Sequence, residues 1–155
     1  MDENIRQGLE KLTHCYTRQI IQYKQLEALA LEQAKALVAP QLDMQRIHEI
    51  LEKRLDILED MESLIKETRE TQRSFCNITK MDQLILSKLK SQYGNIPEFQ
   101  ALSAQIKEHQ TVLETMIHLD EANQRVMKER MNEMKAAGHS LDWKSRARKA
   151  YRDGT

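Results

Sequence analysis

Helix-breaking residues are nearly missing from this chain, which has two prolines and four glycines among 155 residues. With 31% charged residues, that scarcity predicts a soluble, all-α protein of one domain, long enough to bury a core. An excess of either charge is missing too. The 24 basic and 24 acidic residues leave a formal charge of zero, so no global field points to nucleic acid or to an acidic membrane. No apolar run approaches the ~18 residues a bilayer span needs, and the first residues are charged and polar where a leader would be apolar. No membrane insertion is expected, and the expected location is the cytoplasm. Cysteine is limited to Cys15 and Cys76, which lack CxxC or Cys/His spacing and are expected to be free thiols.

The residue patterns of enzyme chemistry are absent as well. A di-iron bundle needs Glu-x-x-His pairs, and none of the five histidines has a glutamate three residues before it. His139, Ser140 and Asp142 have the residue types of a hydrolase triad, but they crowd into four positions, whereas a triad draws on separate elements. Gly8, Gly94, Gly138 and Gly154 are scattered and form no phosphate-binding loop. No catalytic residue, metal or cofactor is expected.

What is present is periodic. From Pro97 to Gly138 the chain holds no proline or glycine in between, with proline suited to a first helical turn and glycine to the position past the end. Phe99, Leu102, Ile106, Leu113, Met116, Leu119, Val126, Met127 and Met134 paint one stripe on a rod of roughly 60 Å. The front of that stripe is aliphatic. Its rear carries Met127, Met131 and Met134, which serve either as core filler or as an adaptable groove for a partner helix.

Ahead of it, Ile5, Leu9, Leu12, Tyr16, Ile20, Tyr23, Leu26, Ala30, Ala34 and Leu37 mark a first helix that stops at Val38, Ala39 and Pro40. Met44, Ile47, Leu51, Leu55, Leu58, Met61 and Ile65 mark a second, widened by Ile50, Ile57 and Leu64 into a face that could touch two neighbours. Residues 66–74, KETRETQRS, are either a solvated helical extension beyond the packed body or a linker. Thr79, with Asp82 three residues on, predicts the cap of a short helix through Met81, Leu84, Ile85 and Leu89 that ends at Tyr93, before a Gly94-Asn95 turn. The expected architecture is an elongated antiparallel bundle of three to four helices with coiled-coil-like packing over residues 1–138. The first two helices should pack on the front half of the long one.

Residues 139–155 form a basic tail, five bases against two acids, while residues 43–78 hold nine acids against six bases. Trp143, Ala147, Ala150 and Tyr151 can share one face of a short amphipathic helix there. The alternative is a frayed, solvated terminus.

YKQLEALALEQAKALVAPQLDMQRIHEILEKRLDILEDMESL, from Tyr23 to Leu64, resembles the first two helices of bacterial flagellar export chaperones of the FlgN type. IHLDEANQRVMKERMNEMK from Ile117, followed by RARKAY ending at Tyr151, resembles the closing pattern of the FlgN and FliT chaperones. Together the two stretches cover about half the chain; KETRETQRS and the Trp143 tail depart from the pattern. The resemblance implies a cytoplasmic chaperone that holds a late flagellar subunit, a hook-associated or filament-cap protein, and delivers it to the type III export apparatus. The competing expectation is a structural or regulatory coiled-coil protein that self-associates, for instance as a homodimer, through the same stripe.

The partner surface is expected on the rear of the long helix, at Leu119, Asn123, Val126, Met127, Arg130 and Met134. The basic charge and the lone tryptophan, Trp143, mark a mobile tail that covers that surface or docks on the export machinery, and by the resemblance Lys149 and Tyr151 match the family's closing pattern there. Removing residues 139–155 should strengthen client binding if the tail is a flap, because a covered site is only fractionally competent. It should leave affinity unchanged and impair export if the tail is a docking site. Binding and secretion assays on the truncated chain separate the two, and no change in either would make the tail a solvated end.

Overall fold

The computed structural model describes residues 3–141, with side chains described as far as residue 137. Four helices make the fold: α1 (Glu3–Val38), α2 (Met44–Thr79), α3 (Leu86–Tyr93) and α4 (Pro97–Leu141). The described residues contain no strand. The all-α bundle expected from composition is therefore what the chain builds.

The first turn lies where Pro40 demanded it, and Asp43 then starts α2. Its backbone is extended, and its carboxylate accepts the Arg46 backbone N–H at 3.1 Å, satisfying one of the donors a helix start leaves unpaired. Side-chain pairs give the directions. Arg6 reaches Glu98, Gln19 meets His109, Asn123 bonds Ala30 and Arg130 bonds Ala39, a constant offset that makes α1 and α4 parallel. Arg18 pairs with Glu67 and Arg54 with Gln33, so α2 runs antiparallel to α1. The result is an up-down-up bundle, with α3 at the lower end that holds the starts of α1 and α4.

Contacts with α4 reach well past its front half, because α1 follows it from Glu98 to Arg130. Both early helices share core clusters with α4, Phe75 of α2 lying in one core with Phe99, Leu102 and Ile106, but their backbones differ in how near they come. α1 approaches both α2 and α4, whereas among the described residues no α2 Cα comes within 8 Å of an α4 Cα. The central element is thus α1, not the longer helix. A lower core of Leu9, Leu12, Phe75, Leu89, Phe99, Leu102 and Ile106 and an upper cluster of Leu26, Met61 and Met116 fill its two sides.

Three local expectations change. Residues 66–74 are neither linker nor a solvated extension: α2 continues through them, Thr68 is buried, and Phe75 just beyond them is sealed in the lower core. Thr79 ends α2 instead of capping the next helix, since its hydroxyl donates to the Phe75 carbonyl and Lys80 adopts a left-handed conformation at φ 57°. The Lys80 and Met81 N–H groups both return to the Cys76 carbonyl, which closes the helix end, and α3 begins only at Leu86. Gly138 is not a stop, whereas the Gly94-Asn95 turn lies where expected, directly after α3 ends at Tyr93. Gly94 is right-handed, with its N–H on the Lys90 carbonyl, and α4 runs through Gly138 to Leu141.

Gly8 serves close packing. It is buried, and a Cβ placed there would lie 2.5 Å from Phe75 Cδ2, whose side chain is only 1% exposed. Alanine at this position gains about 1 kcal/mol of helix propensity but overpacks the core at a cost of about 1–3 kcal/mol. Thermal melts should show Gly8→Ala less stable than the parent; a raised melting temperature would contradict the close approach.

Candidate functional site

The middle of the bundle is polar. Spacings of three and four put Tyr16, Gln19 and Tyr23 on the α1 surface between its neighbours, and KETRETQRS supplies the partners from α2. The Gln19 amide donates to the Thr68 hydroxyl at 2.7 Å, and that hydroxyl donates to the Leu64 carbonyl at 2.9 Å. The Gln19 carbonyl oxygen faces His109 Nε2 at 2.9 Å, so Nε2 carries the proton. Gln72 donates to the Tyr16 hydroxyl at 2.7 Å. The Tyr16 and Tyr23 rings each meet the His109 imidazole edge-on, with centroids 5.3 Å apart.

Burial sets the electrostatics of this layer. It pushes the His109 pKa below 6.5 and raises that of Tyr23. Tyr16 is raised mainly by burial, against the Gln72 hydrogen bond, which lowers it. Burial also raises the Cys76 thiol, and Cys15 rests 3.7 Å from the Thr71 hydroxyl; both cysteines are free. These groups satisfy one another and fix register: a one-turn slip would strand buried polar atoms at about 1–3 kcal/mol each.

A groove is the second feature. Because α2 and α4 do not close on each other, a channel remains between them with α1 as its floor. Its upper chamber, about 420 Å³, is lined by Leu51, Leu55 and Leu58 of α2, by Asp120 and Gln124 of α4, and by Gln33 of α1. The walls are held apart by Arg54, which donates to Asp120 at 2.7 Å and to Gln33 at 2.9 Å and so ties all three long helices. Leu51, Leu55 and Leu58 are 40%, 58% and 44% exposed. The lower chamber, about 680 Å³, is lined by Tyr16, Arg69, Gln72, Arg73, Cys76 and Gln110, with Met81, Asp82 and Leu84 among the residues at its base.

The residues expected to bind a partner are divided by the structure. Asn123 is buried, with its amide on the Ala30 carbonyl at 2.9 Å, and Arg130 donates to the Ala39 carbonyl at 2.9 Å. Both clamp α4 to α1. Leu119, Val126 and Met127 are half-buried beside them, while Met134, like Met131, is exposed beyond the end of α1. Trp143, Lys149 and Tyr151, and nearly all of the basic tail, lie outside the described residues.

Sequence reasoning did not single out Leu51, Leu55 and Leu58 as a site, although the signal was there. The second helix has an apolar face wide enough for two neighbours, and α1 covers only the half with Ile47, Ile50, Met61 and Leu64. Among the described residues no three His, Cys, Asp or Glu side chains converge as metal ligands, and no helix is long and apolar enough to cross a membrane. No family model, curated protein or solved structure matches this chain.

The half-buried His109 imidazole gives the bundle a pH dependence of known sign. Its folded pKa lies below 6.5, so the unfolded chain takes up the proton first. The stability that neutral His109 supports is complete above about pH 6.5 and is lost as the pH falls through the lowered folded value. Denaturant titrations from pH 7.5 to 5.5 should show the parent losing more stability than His109→Gln; equal slopes would mean that His109 is not held neutral.

Proposed function

We propose that this chain is a cytoplasmic export chaperone that binds a late flagellar subunit, a hook-associated or filament-cap protein, and presents it to the type III export apparatus. The observation that carries the reading is the uncovered half of the α2 apolar face, Leu51, Leu55 and Leu58, standing open toward α4. An exposed stripe at i, i+4 and i+7 is the complement of an amphipathic helix, which can lie on the groove rims and insert its side chains. Burying three half-exposed leucines contributes about 1 kcal/mol each.

The resemblance of Tyr23–Leu64 and Ile117–Tyr151 to the FlgN and FliT chaperones supplies the client class. Subunits that assemble outside the cell through helical segments need those segments shielded inside it. The work is binding rather than catalysis, with no cofactor. In this reading the half-buried Val126 and Met127 extend the client surface upward, and Trp143, Lys149 and Tyr151 serve release or docking at the export gate. The same exposed leucines also favour the alternative, a self-associating coiled-coil protein.

Size-exclusion chromatography with light scattering tests both. The chain mixed with candidate hook-associated and filament-cap proteins should form a heterocomplex that Leu55→Asp with Leu58→Asp abolishes, at a cost of a few kcal/mol for charges placed in an apolar contact. Val126→Asp with Met127→Asp should weaken it less. A stable homodimer that ignores every flagellar subunit, and that the leucine variants split, would replace the chaperone reading with the alternative.

A further inference from the structure

The two chambers lie end to end along α1, and their walls differ in chemistry. On α2, Leu51, Leu55 and Leu58 line the upper chamber and Arg69 and Arg73 the lower, and between them Ile65 packs against the cluster of Leu26, Met61 and Met116. The α2 lining is apolar above and basic below. Arg69 and Arg73 line the lower chamber, and neither guanidinium has a hydrogen bond or ion pair with another described residue. Asp82, in the same lining, pairs with neither of them. By contrast Arg6, Arg18, Arg46 and Arg54 each hold a carboxylate. Two unpaired cations beside a cavity, below an uncovered apolar stripe, form a charge pattern to be matched.

We infer that the groove takes an amphipathic helix of a partner protein that carries acidic side chains at the end lying against Arg69 and Arg73. The inference rests on the proposed reading of the groove as a client seat and adds the chemistry of what sits there. Arg69 and Arg73 lie 14 and 18 positions from Leu55, so the occupant's acidic turn falls roughly 21–27 Å along its axis from its central apolar contact. The chain's own tail is a poor match, because it is itself basic, with five bases against two acids. A second copy paired antiparallel about Leu55 fails for another reason. It would set Arg69 and Arg73 against residues 37–41 of its partner, and that turn holds no acid.

Two synthetic helices of about two dozen residues test this. Both are acetylated and amidated so that side chains are the only charges, and both carry the same leucine stripe; one ends in a glutamate turn, the other in a lysine turn. Fluorescence anisotropy against the full chain should show the glutamate helix binding about fivefold more tightly at low ionic strength, with the difference shrinking in high salt. Arg69→Glu with Arg73→Glu should reverse the preference. Both positions are exposed, so an unchanged melting temperature confirms the fold. Leu55→Asp with Leu58→Asp should abolish binding of both helices.

Equal affinity of the two helices, lost in the leucine variant, would overturn the acidic-partner inference and leave the groove reading standing. Absence of binding by either helix would also overturn it. A homodimer in light scattering that the leucine variant separates would make a second copy the occupant. Preferential binding of the glutamate helix, with no flagellar subunit forming a complex, would leave the acidic-partner inference standing and sink the chaperone reading itself.

Discussion

The structure depends on one constraint: among the described residues, α1 is the only helix whose backbone approaches both of the other long ones. Its buried residues, from Gly8 through Leu37, cover two directions at once, so the backbones of α2 and α4 each lie against α1 and meet each other only through side chains. In a closed three-helix bundle each helix shields the other two. Here the third edge is bridged by long side chains, chiefly the Arg54 guanidinium between Asp120 and Gln33, and the groove is the space that bridging leaves. The cavity is thus a consequence of how the core is shared.

The polar layer complements that arrangement. Leucines and isoleucines packed along parallel and antiparallel rods tolerate sliding, because neighbouring turns offer similar contacts. Gln19 does not, since its amide must find Thr68 on one side and His109 on the other. Apolar clusters below and above supply the burial, and the layer between them selects one alignment. Asn123 and Arg130 extend the same logic upward by holding α1 carbonyls, which is why polar residues on the rear of α4 are structural as well as candidate contacts.

Much of the fold was legible because its signals are local. Pro40 and Pro97 mark their boundaries by backbone chemistry alone, and helical periodicity needs no tertiary context. The misplacements fall where tertiary contacts override local preference. Thr79 has the chemistry of a helix start, but Phe75 seated in the core holds α2 in place up to it, and its hydroxyl turns back. KETRETQRS looks solvated because its buried member, Thr68, is polar and its partner lies 49 residues away. The groove was legible only in part: the widened α2 face announces two neighbours, while its failure to meet α4 is a property of three helices together that no single stretch encodes.

The parallel course of α1 and α4 has a mechanical corollary. The first residues of α1 lie at the lower end of the bundle and the last residues of α4 at the upper, some 50 Å or more apart by helix rise. Tension applied between those two points acts along the interface and loads Arg6–Glu98, Gln19–His109, Asn123–Ala30 and Arg130–Ala39 simultaneously in shear. A hairpin pulled from adjacent ends would unzip one contact at a time. This bundle instead resists until the whole row yields, so it can bear a pull along its long axis through α1 and α4, while α2, the other wall of the side groove, stays out of that row.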